Sequence, residues 1–456
     1  MKEEKKGISY VFLFLLFGIA ALAAIVLIIG AVATSDSEEL SDVFRSGALV
    51  HSETVYITLL LAFLLPATLI ALTVIILRAR FGFTLFGTRK NKSTEGEESR
   101  FRSLREIDNE NRDAPKEELP YCGNLNMLCT EFRNFAASEL KLYYNPDDIR
   151  KFVAGFAVSH LMVMQGLSGT GKTSLATAFG EFLNNRSTVI SVQPMWKERS
   201  DVIGYFNEFT KQFSESVLLK KLYEARYSDR IYVIVLDEMN IARVEYFFAD
   251  FLSLMELKED NRFLEMTSDT WPKDPKLFEK GSFRLPENVW FIGTANNDDS
   301  TFAISDKVYD RAMVMNLDHK AKPFRANETP GIRMSFRFFE KLVEDAKRNF
   351  EMTSRSRRKV AEIDRCLTEH YHITYGNRIR KQMEEYIAVY IACGGTEEEA
   401  LDDFLMKKVL RKLEGQNPVV TAKASAELEE KIDELYTDEA MPLCRNYLRY
   451  LKQLAS

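Results

Sequence analysis

The chain has 456 residues and a mass of 52.5 kDa, enough for roughly two or three compact domains, which excludes a single small module. Hydrophobic residues make up 46% of the chain and charged residues 28%, so it can build a large core and is not mainly disordered. A net charge of −6 argues against a surface built to coat nucleic acid. The five cysteines have no zinc-type spacing, and we interpret them as reduced thiols.

Two long apolar stretches lie near the N-terminus, at residues 8–33 and 55–77, and neither contains a charged side chain. Each is longer than the about 20 residues that a helix needs to cross a bilayer. Lysine and arginine flank the pair, whereas the loop between them is acidic, so both termini are expected in the cytoplasm. The sequence therefore predicts a membrane hairpin over 1–87, in contact with the lipid bilayer, and a multi-pass plasma-membrane protein. The alternative is a cleaved signal peptide, because Ala31 and Ala33 form a small-x-small site.

Residues 88–119 are charged and polar and have no sustained apolar face. This composition predicts a linker, either an extended tether or a frayed helix.

A phosphate-binding motif follows a short apolar strand predicted at residues 161–164. The next residues fit the pattern G-x-x-x-x-G-K-[ST] and precede a predicted helix. Backbone N–H groups of such a loop surround phosphate oxygens, Lys172 can reach the β and γ phosphates, and the Thr173 hydroxyl can bind Mg²⁺. The predicted nucleotide-binding residues are Gly166, Leu167, Ser168, Gly169, Thr170, Gly171, Lys172, Thr173 and Ser174.

A second apolar run, residues 231–236, ends in two carboxylates. Its β-branched composition is typical of a central parallel strand. Asp237 can hold Mg²⁺ at the end of that strand, and Glu238 can orient and polarise the attacking water. An acidic strand end that simply faces solvent is the alternative, and the upstream phosphate loop argues against it.

A third apolar strand, residues 289–294, is followed by polar residues. An amide at the tip of this strand could sense the γ phosphate, and we predict that Asn296 rather than Asn297 does so. Arg311 follows a predicted helical turn and can reach the nucleotide of a neighbouring subunit as an arginine finger. A surface salt bridge is the alternative for this residue.

Together these motifs resemble the AAA+ superfamily, and within it the McrB-type branch of methylation-dependent restriction GTPases. The resemblance covers roughly residues 120–420 and includes DVIGYFN at 201–207, LDEMNIARVEYFFADFLSLME at 236–256 and YGNR at 375–378. It implies an α/β AAA+ P-loop core of three layers at 120–320 and a helical lid at 321–456. The roles that it implies are Walker A for Lys172 and Thr173, Walker B for Asp237 and Glu238, sensor 1 for Asn296, trans finger for Arg311 and sensor 2 for Arg378.

The resemblance also implies a ring, taken as a hexamer, that hydrolyses ATP or GTP with Mg²⁺. The choice of nucleotide stays open because the McrB signature MNTADRS reads ANNDDST here, at residues 295–301. The expected partner is an McrC-like nuclease in a defence system. The alternatives are a MoxR-like chaperone that remodels or assembles membrane-associated proteins, and a scaffold that does not hydrolyse nucleotide.

Two further features of the sequence each have a functional and a structural interpretation. Residues 258–286 resemble a hairpin insertion used for pore or partner contacts, and a plain surface hairpin is the alternative. His370 and His372 could meet a metal, but a structural role is favoured because no third ligand lies nearby in sequence. The chain has no basic, aromatic-rich module, so no direct sequence-specific DNA binding is expected.

Overall fold

The computed structural model describes residues 99–112, 115, 117–296 and 301–454. The predicted membrane hairpin at 1–87 and the first part of the predicted linker lie outside the described residues.

The prediction of a multi-pass plasma-membrane protein with cytoplasmic termini is corrected by the helices of the structure. Within the described ranges, no helix is long and apolar enough to cross a membrane. The two 18-residue helices, Ser354–Tyr371 and Pro418–Leu435, have the length but carry charged side chains along their whole course. The stretches that suggested membrane spans, 8–33 and 55–77, lie outside the described residues.

The strands, in chain order, are β1 (Leu161–Gln165), β2 (Thr188–Ser191), β3 (Gly204–Asn207), β4 (Gln212–Glu215), β5 (Tyr232–Asp237), β6 (Phe263–Glu265), β7 (Phe278–Glu279), β8 (Ser282–Arg284), β9 (Val289–Thr294) and β10 (Met313–Asn316). The helices are α1 (Arg102–Glu110), α2 (Leu125–Ser138), α3 (Pro146–Val158), α4 (Lys172–Phe182), α5 (Arg199–Ile203), α6 (Val217–Ala225), α7 (Val244–Phe247), α8 (Ala249–Leu254), α9 (Asp306–Tyr309), α10 (Phe336–Asn349), α11 (Ser354–Tyr371), α12 (Asn377–Ala392), α13 (Glu397–Phe404), α14 (Pro418–Leu435) and α15 (Pro442–Leu454).

Five strands form a parallel sheet in the order β10-β1-β9-β5-β2. Side chains of β1 alternate between its faces: Met162 and Met164 join one apolar cluster, and Leu161 and Val163 join the other. Helices α2, α3 and α4 cover the first face, and α6, α7 and α8 cover the second. The predicted α/β core with a parallel sheet is therefore confirmed.

The chain beyond β10 is mostly helical. Helices α10 to α15 bury residues such as Tyr386 and Leu428 in the same apolar cluster as α2, α3 and α4. Between α13 and α14 the chain forms a π-helix, Leu405–Val409, and a 3-10 helix, Leu410–Leu413. A π-helical turn is rare in proteins and frequently lies at functional sites.

The region predicted as a charged linker contains a packed helix, α1. Its Leu104 is fully buried, and the buried carboxylate of Asp108 accepts hydrogen bonds from the hydroxyls of Tyr223 and Tyr227, at 2.6 and 2.5 Å. The side chain of Glu215 on β4 accepts from two backbone N–H groups at the start of α1. Asp108, one of the charged residues that suggested a solvated tether, is thus hydrogen-bonded by residues more than 100 positions away in sequence.

The insertion predicted at 258–286 forms a small antiparallel sheet, in the order β6-β8-β7. Arg100 ties it to the start of α1, because its guanidinium binds Asp269 at 2.8 Å and Asp274 at 2.7 Å and lies 4.5 Å from the Trp271 ring centre. A separate hairpin, β3–β4, carries Phe209 in its loop, and that side chain is 99% exposed.

Replacement of Arg100 by alanine should lower the free energy of unfolding by about 3 kcal/mol, because it leaves the partly buried Asp274 without its cationic partner. Chemical denaturation followed by tryptophan fluorescence measures this change, since Trp271 stacks on the guanidinium. The control is Arg102→Ala, whose side chain is 82% exposed and should change stability by less than about 0.5 kcal/mol. Equal effects of the two substitutions would contradict the structural role of Arg100.

Candidate nucleotide site

The phosphate loop joins β1 to α4 at the carboxyl edge of the sheet. Gly166, Gly169 and Gly171 have φ angles of 139°, 75° and 97°, which side chains rarely adopt. A Cβ on Gly166 would also lie 2.5 Å from the carbonyl oxygen of Leu317, so this position needs glycine. The loop can therefore aim its N–H groups, together with the N-terminus of α4, at an anion.

Lys172 is folded into this loop. Its side chain is 7% exposed, and its Nζ donates to the carbonyl oxygens of Gly166 and Leu167, both at 2.9 Å. Burial lowers the pKa of Lys172, while the nearby carboxylates of Asp318 and Asp237 raise it. The ammonium thus lies beside the loop that would hold the phosphates.

A chain of hydrogen bonds links the phosphate loop to two neighbouring strands. Asp237 Oδ1 accepts from the hydroxyl of Thr173 at 2.7 Å and from that of Thr294 at 2.8 Å. The same Thr294 oxygen accepts from the backbone N–H of Glu238 at 3.0 Å. Hydroxyl and carboxylate oxygens are the ligands that Mg²⁺ prefers, so Thr173 and Asp237 fit the ion that was predicted there.

Glu238 has an unusual backbone conformation for its residue type. Its φ and ψ angles are 52° and 46°, in the left-handed region, where a non-glycine residue costs about 1–2 kcal/mol. The side chain is exposed just beyond the end of β5, while the backbone N–H is fixed by Thr294. Strained residues of this kind cluster at active sites.

Asn240 holds the loop that follows β9. It is 4% exposed, and its Nδ2 donates to the carbonyl oxygens of Asn296 at 2.9 Å and Phe302 at 3.3 Å. Asn296 is half-buried at the tip of β9, as the sequence predicts, whereas Asn297 lies outside the described residues.

A cavity of about 900 Å³ adjoins the phosphate loop. Gly166, Asn240 and Asn296 line it from the sheet side, and Lys407, Arg411 and Lys412 line it from the segment after α13. Small-molecule sites usually occupy about 300–1,000 Å³, so the cavity can hold a ligand of nucleotide size. The lining also includes Asp306, Asp318 and Glu414, so its acidic and basic side chains are equal in number.

Arg311 and Arg378 lie close together, and the contacts described for them do not include Lys172. Both guanidiniums bind the same oxygen, Oε1 of Glu256, Arg311 at 2.6 Å. Arg311 also donates to the carbonyl oxygen of Lys307 at 2.7 Å. Two positive charges therefore share one negative charge, which leaves this pair with an excess of positive charge.

The π-helical segment holds the turn that carries Arg311. Lys408 is buried, and its Nζ donates to the carbonyl oxygens of Tyr309 at 2.5 Å and Ala312 at 2.8 Å. The pKa of Lys408 is lowered to about 7, mainly by burial. The carboxylate of Asp310 opposes this shift, and the positive charges of Arg411, Lys412 and Arg378 add to it. Arg411 in turn binds Asp306 at 2.5 Å.

Sequence reasoning missed four residues of this region: Thr294, Asn240, Glu256 and Lys408. Thr294 is the last residue of a buried strand beside the predicted Walker B strand, and that position is the signal that could have found it. The contacts of Glu256 and Lys408 join segments more than 50 residues apart and leave no local pattern.

Two family models match parts of the chain. Residues 161–312 match a family model described as an AAA domain of the dynein-related subfamily, and residues 331–455 match one described as a domain of unknown function. No curated protein matches the chain.

Among solved structures, a candidate ATPase from Cytophaga hutchinsonii matches at 12% identity with a TM-score of 0.39, over 66% of this chain and 87% of that chain. A score this low does not establish a common fold.

The AAA match spans β1 through Ala312 and so includes the phosphate loop, the end of β5 and the end of β9. The parallel strand order and the hydrogen bonds around Asp237 agree with it. The part of the chain at residues 161–312 is therefore similar to AAA domains.

Proposed function

We propose that this chain hydrolyses ATP or GTP in a ring of identical subunits and uses the turnover to drive or regulate a partner protein. The observation that carries the proposal is the hydrogen-bond chain from Thr173 through Asp237 and Thr294 to the backbone of Glu238. It joins the residue types needed for phosphate binding, Mg²⁺ binding and water activation at one edge of the sheet. We also propose that 120–320 is the catalytic core and 321–456 the lid.

In the proposed reaction, residues 166–174 bind the phosphates and Lys172 neutralises the β and γ groups. Thr173 and Asp237 would hold Mg²⁺, which would supply positive charge to neutralise the phosphate oxygens. Glu238 orients and polarises the attacking water, and Asn296 contacts the γ phosphate. Thr294 is a positioning residue, because it fixes both the Asp237 carboxylate and the Glu238 backbone.

Turnover of ATP and GTP should fall by at least about 100-fold in Lys172→Ala and in Glu238→Gln, because the first loses phosphate binding and the second loses the general base. Phosphate release with each nucleotide measures the loss and also identifies the preferred base. Glu238→Gln should still bind nucleotide, whereas Lys172→Ala should bind it weakly. Wild-type rates in both variants would refute the site assignment.

We propose further that Arg311 and Arg378 serve the same phosphate chain, that of a neighbouring subunit. Their guanidiniums share Glu256, so they are close enough to act on one ligand, and their excess positive charge favours a polyanion. Arginine fingers stabilise the charge of the transition state from outside the subunit that binds the nucleotide. This assignment replaces a sensor 2 role for Arg378 within its own subunit.

Mixing subunits tests which arginine acts in trans. Each single variant, Arg311→Ala, Arg378→Ala or Glu238→Gln, should be nearly inactive alone. If an arginine acts in trans, a ring that combines its alanine variant with Glu238→Gln contains sites with an intact Glu238 and an intact arginine from the neighbour. The mixture should then hydrolyse nucleotide severalfold faster than the mean of the two separate proteins.

The control for this experiment is Arg380→Ala. The Arg380 side chain lies on α12, the helix that also carries Arg378, and is 60% exposed, so its replacement should leave turnover unchanged. An arginine of the same subunit's site gives no rescue on mixing, because no site then holds both groups. If mixing does not restore turnover to Arg311→Ala, the proposal that Arg311 acts as a trans finger is contradicted. If mixing fails to restore turnover only for Arg378→Ala, Arg378 acts on the nucleotide of its own subunit.

For the partner, the McrB-type resemblance supports an McrC-like nuclease, and the ring is proposed as a hexamer. A MoxR-like chaperone acting on client proteins is the second candidate. Direct sequence-specific DNA binding is not part of either proposal.

Glu238→Gln, held in the nucleotide-bound state, should retain the partner in an affinity capture from its source cells. The control is Lys172→Ala, which should lose the partner because it does not hold nucleotide. A nuclease of the PD-(D/E)xK type retained only by Glu238→Gln supports the first candidate, and a protein without nuclease motifs supports the second. Equal retention by both variants would contradict a nucleotide-driven partner.

A further inference from the structure

We propose that Cys366, His370 and Glu427 form a binding site for a divalent transition-metal ion of the zinc type. The site lies between α11 and α14, outside the AAA domain and within the segment that matches a domain of unknown function. It does not depend on the proposed nucleotide chemistry.

The three side chains present one ligand atom each, and these atoms all lie within 4.8 Å of one another. Cys366 and His370 are four residues apart on α11, so the helix places them on the same face. Glu427 comes from α14, and its Oε2 lies 3.0 Å from His370 Nδ1. Zinc bonds of about 2.0–2.3 Å put tetrahedral ligands roughly 3–4 Å apart, so small side-chain movements suffice to close the site.

A simple surface ion pair between His370 and Glu427 does not account for the cysteine. The Cys366 side chain is buried beside that pair, and its sulfur lies within 4.8 Å of the ligand atoms of both residues. Metal binding would release the thiol proton and form a metal–sulfur bond.

The donor atoms determine the class of ion. A sulfur, an imidazole nitrogen and a carboxylate oxygen suit Zn²⁺ and related ions, whereas Mg²⁺ and Ca²⁺ prefer oxygen alone. His370 is 57% exposed, which leaves the outer side open to a water or another fourth ligand. Because the ligands come from two helices, the ion would also clamp α11 to α14.

Titration of the full chain with Co²⁺, followed by absorbance, tests the site. We expect one equivalent to bind with a thiolate-to-cobalt charge-transfer band and the visible bands of tetrahedral coordination. Cys366→Ser should abolish the charge-transfer band, and His370→Ala should weaken binding by more than about tenfold. Co²⁺ at Thr173 and Asp237 cannot give this band, because those ligands are oxygens.

Two control variants replace a histidine and a cysteine that are not proposed ligands. His372→Asn changes an exposed histidine with a φ angle of 53°, a conformation that asparagine tolerates, and Cys122→Ser removes an exposed thiol. Both variants should keep the charge-transfer band. Cys366→Ser alters a buried position and can therefore disturb packing as well as remove a ligand. Glu427→Gln provides a second test at a partly exposed ligand. The absence of a thiolate band in the parent protein, or its persistence in Cys366→Ser, would overturn the proposal.

Discussion

The carboxylate of Asp237 is the group on which the nucleotide site depends. One of its oxygens accepts hydrogen bonds from Thr173, after the phosphate loop, and from Thr294, at the end of β9. Strands β1, β9 and β5 are neighbours and parallel, so their carboxyl ends meet at one edge and allow this single oxygen to connect them. The buried sheet thereby converts separated sequence motifs into one rigid set of donors and acceptors.

The sequence alone predicted the parts of the site that local chemistry specifies. The pattern G-x-x-x-x-G-K-[ST] between a predicted strand and a predicted helix identifies the phosphate loop, and an apolar run ending in Asp237 and Glu238 identifies its neighbour. The charges of the predicted linker were harder to interpret, because Arg100 is buried by Asp269 and Asp274 and nothing near it in sequence indicates those partners. The shared contact of two arginines with Glu256 is likewise a product of tertiary packing.

The helical region after β10 is mechanically connected to the turn that carries Arg311. Lys408 bonds the carbonyl oxygens of Tyr309 and Ala312, on either side of that arginine, and Arg411 binds Asp306 at the start of the same turn. A shift of the C-terminal helices would therefore displace Arg311 directly. The position of the Arg311 guanidinium therefore depends on where these helices lie.

The two adjacent lysines of the π-helix have different buried partners. Lys407 binds Asp403 at 2.6 Å, while Lys408 caps the turn before Arg311, and each is 4% exposed. Sliding or rotation of this segment by one residue would leave a charged amine buried without a partner, which costs several kcal/mol. These two contacts therefore fix the register of the segment against α13 and against the turn that carries Arg311.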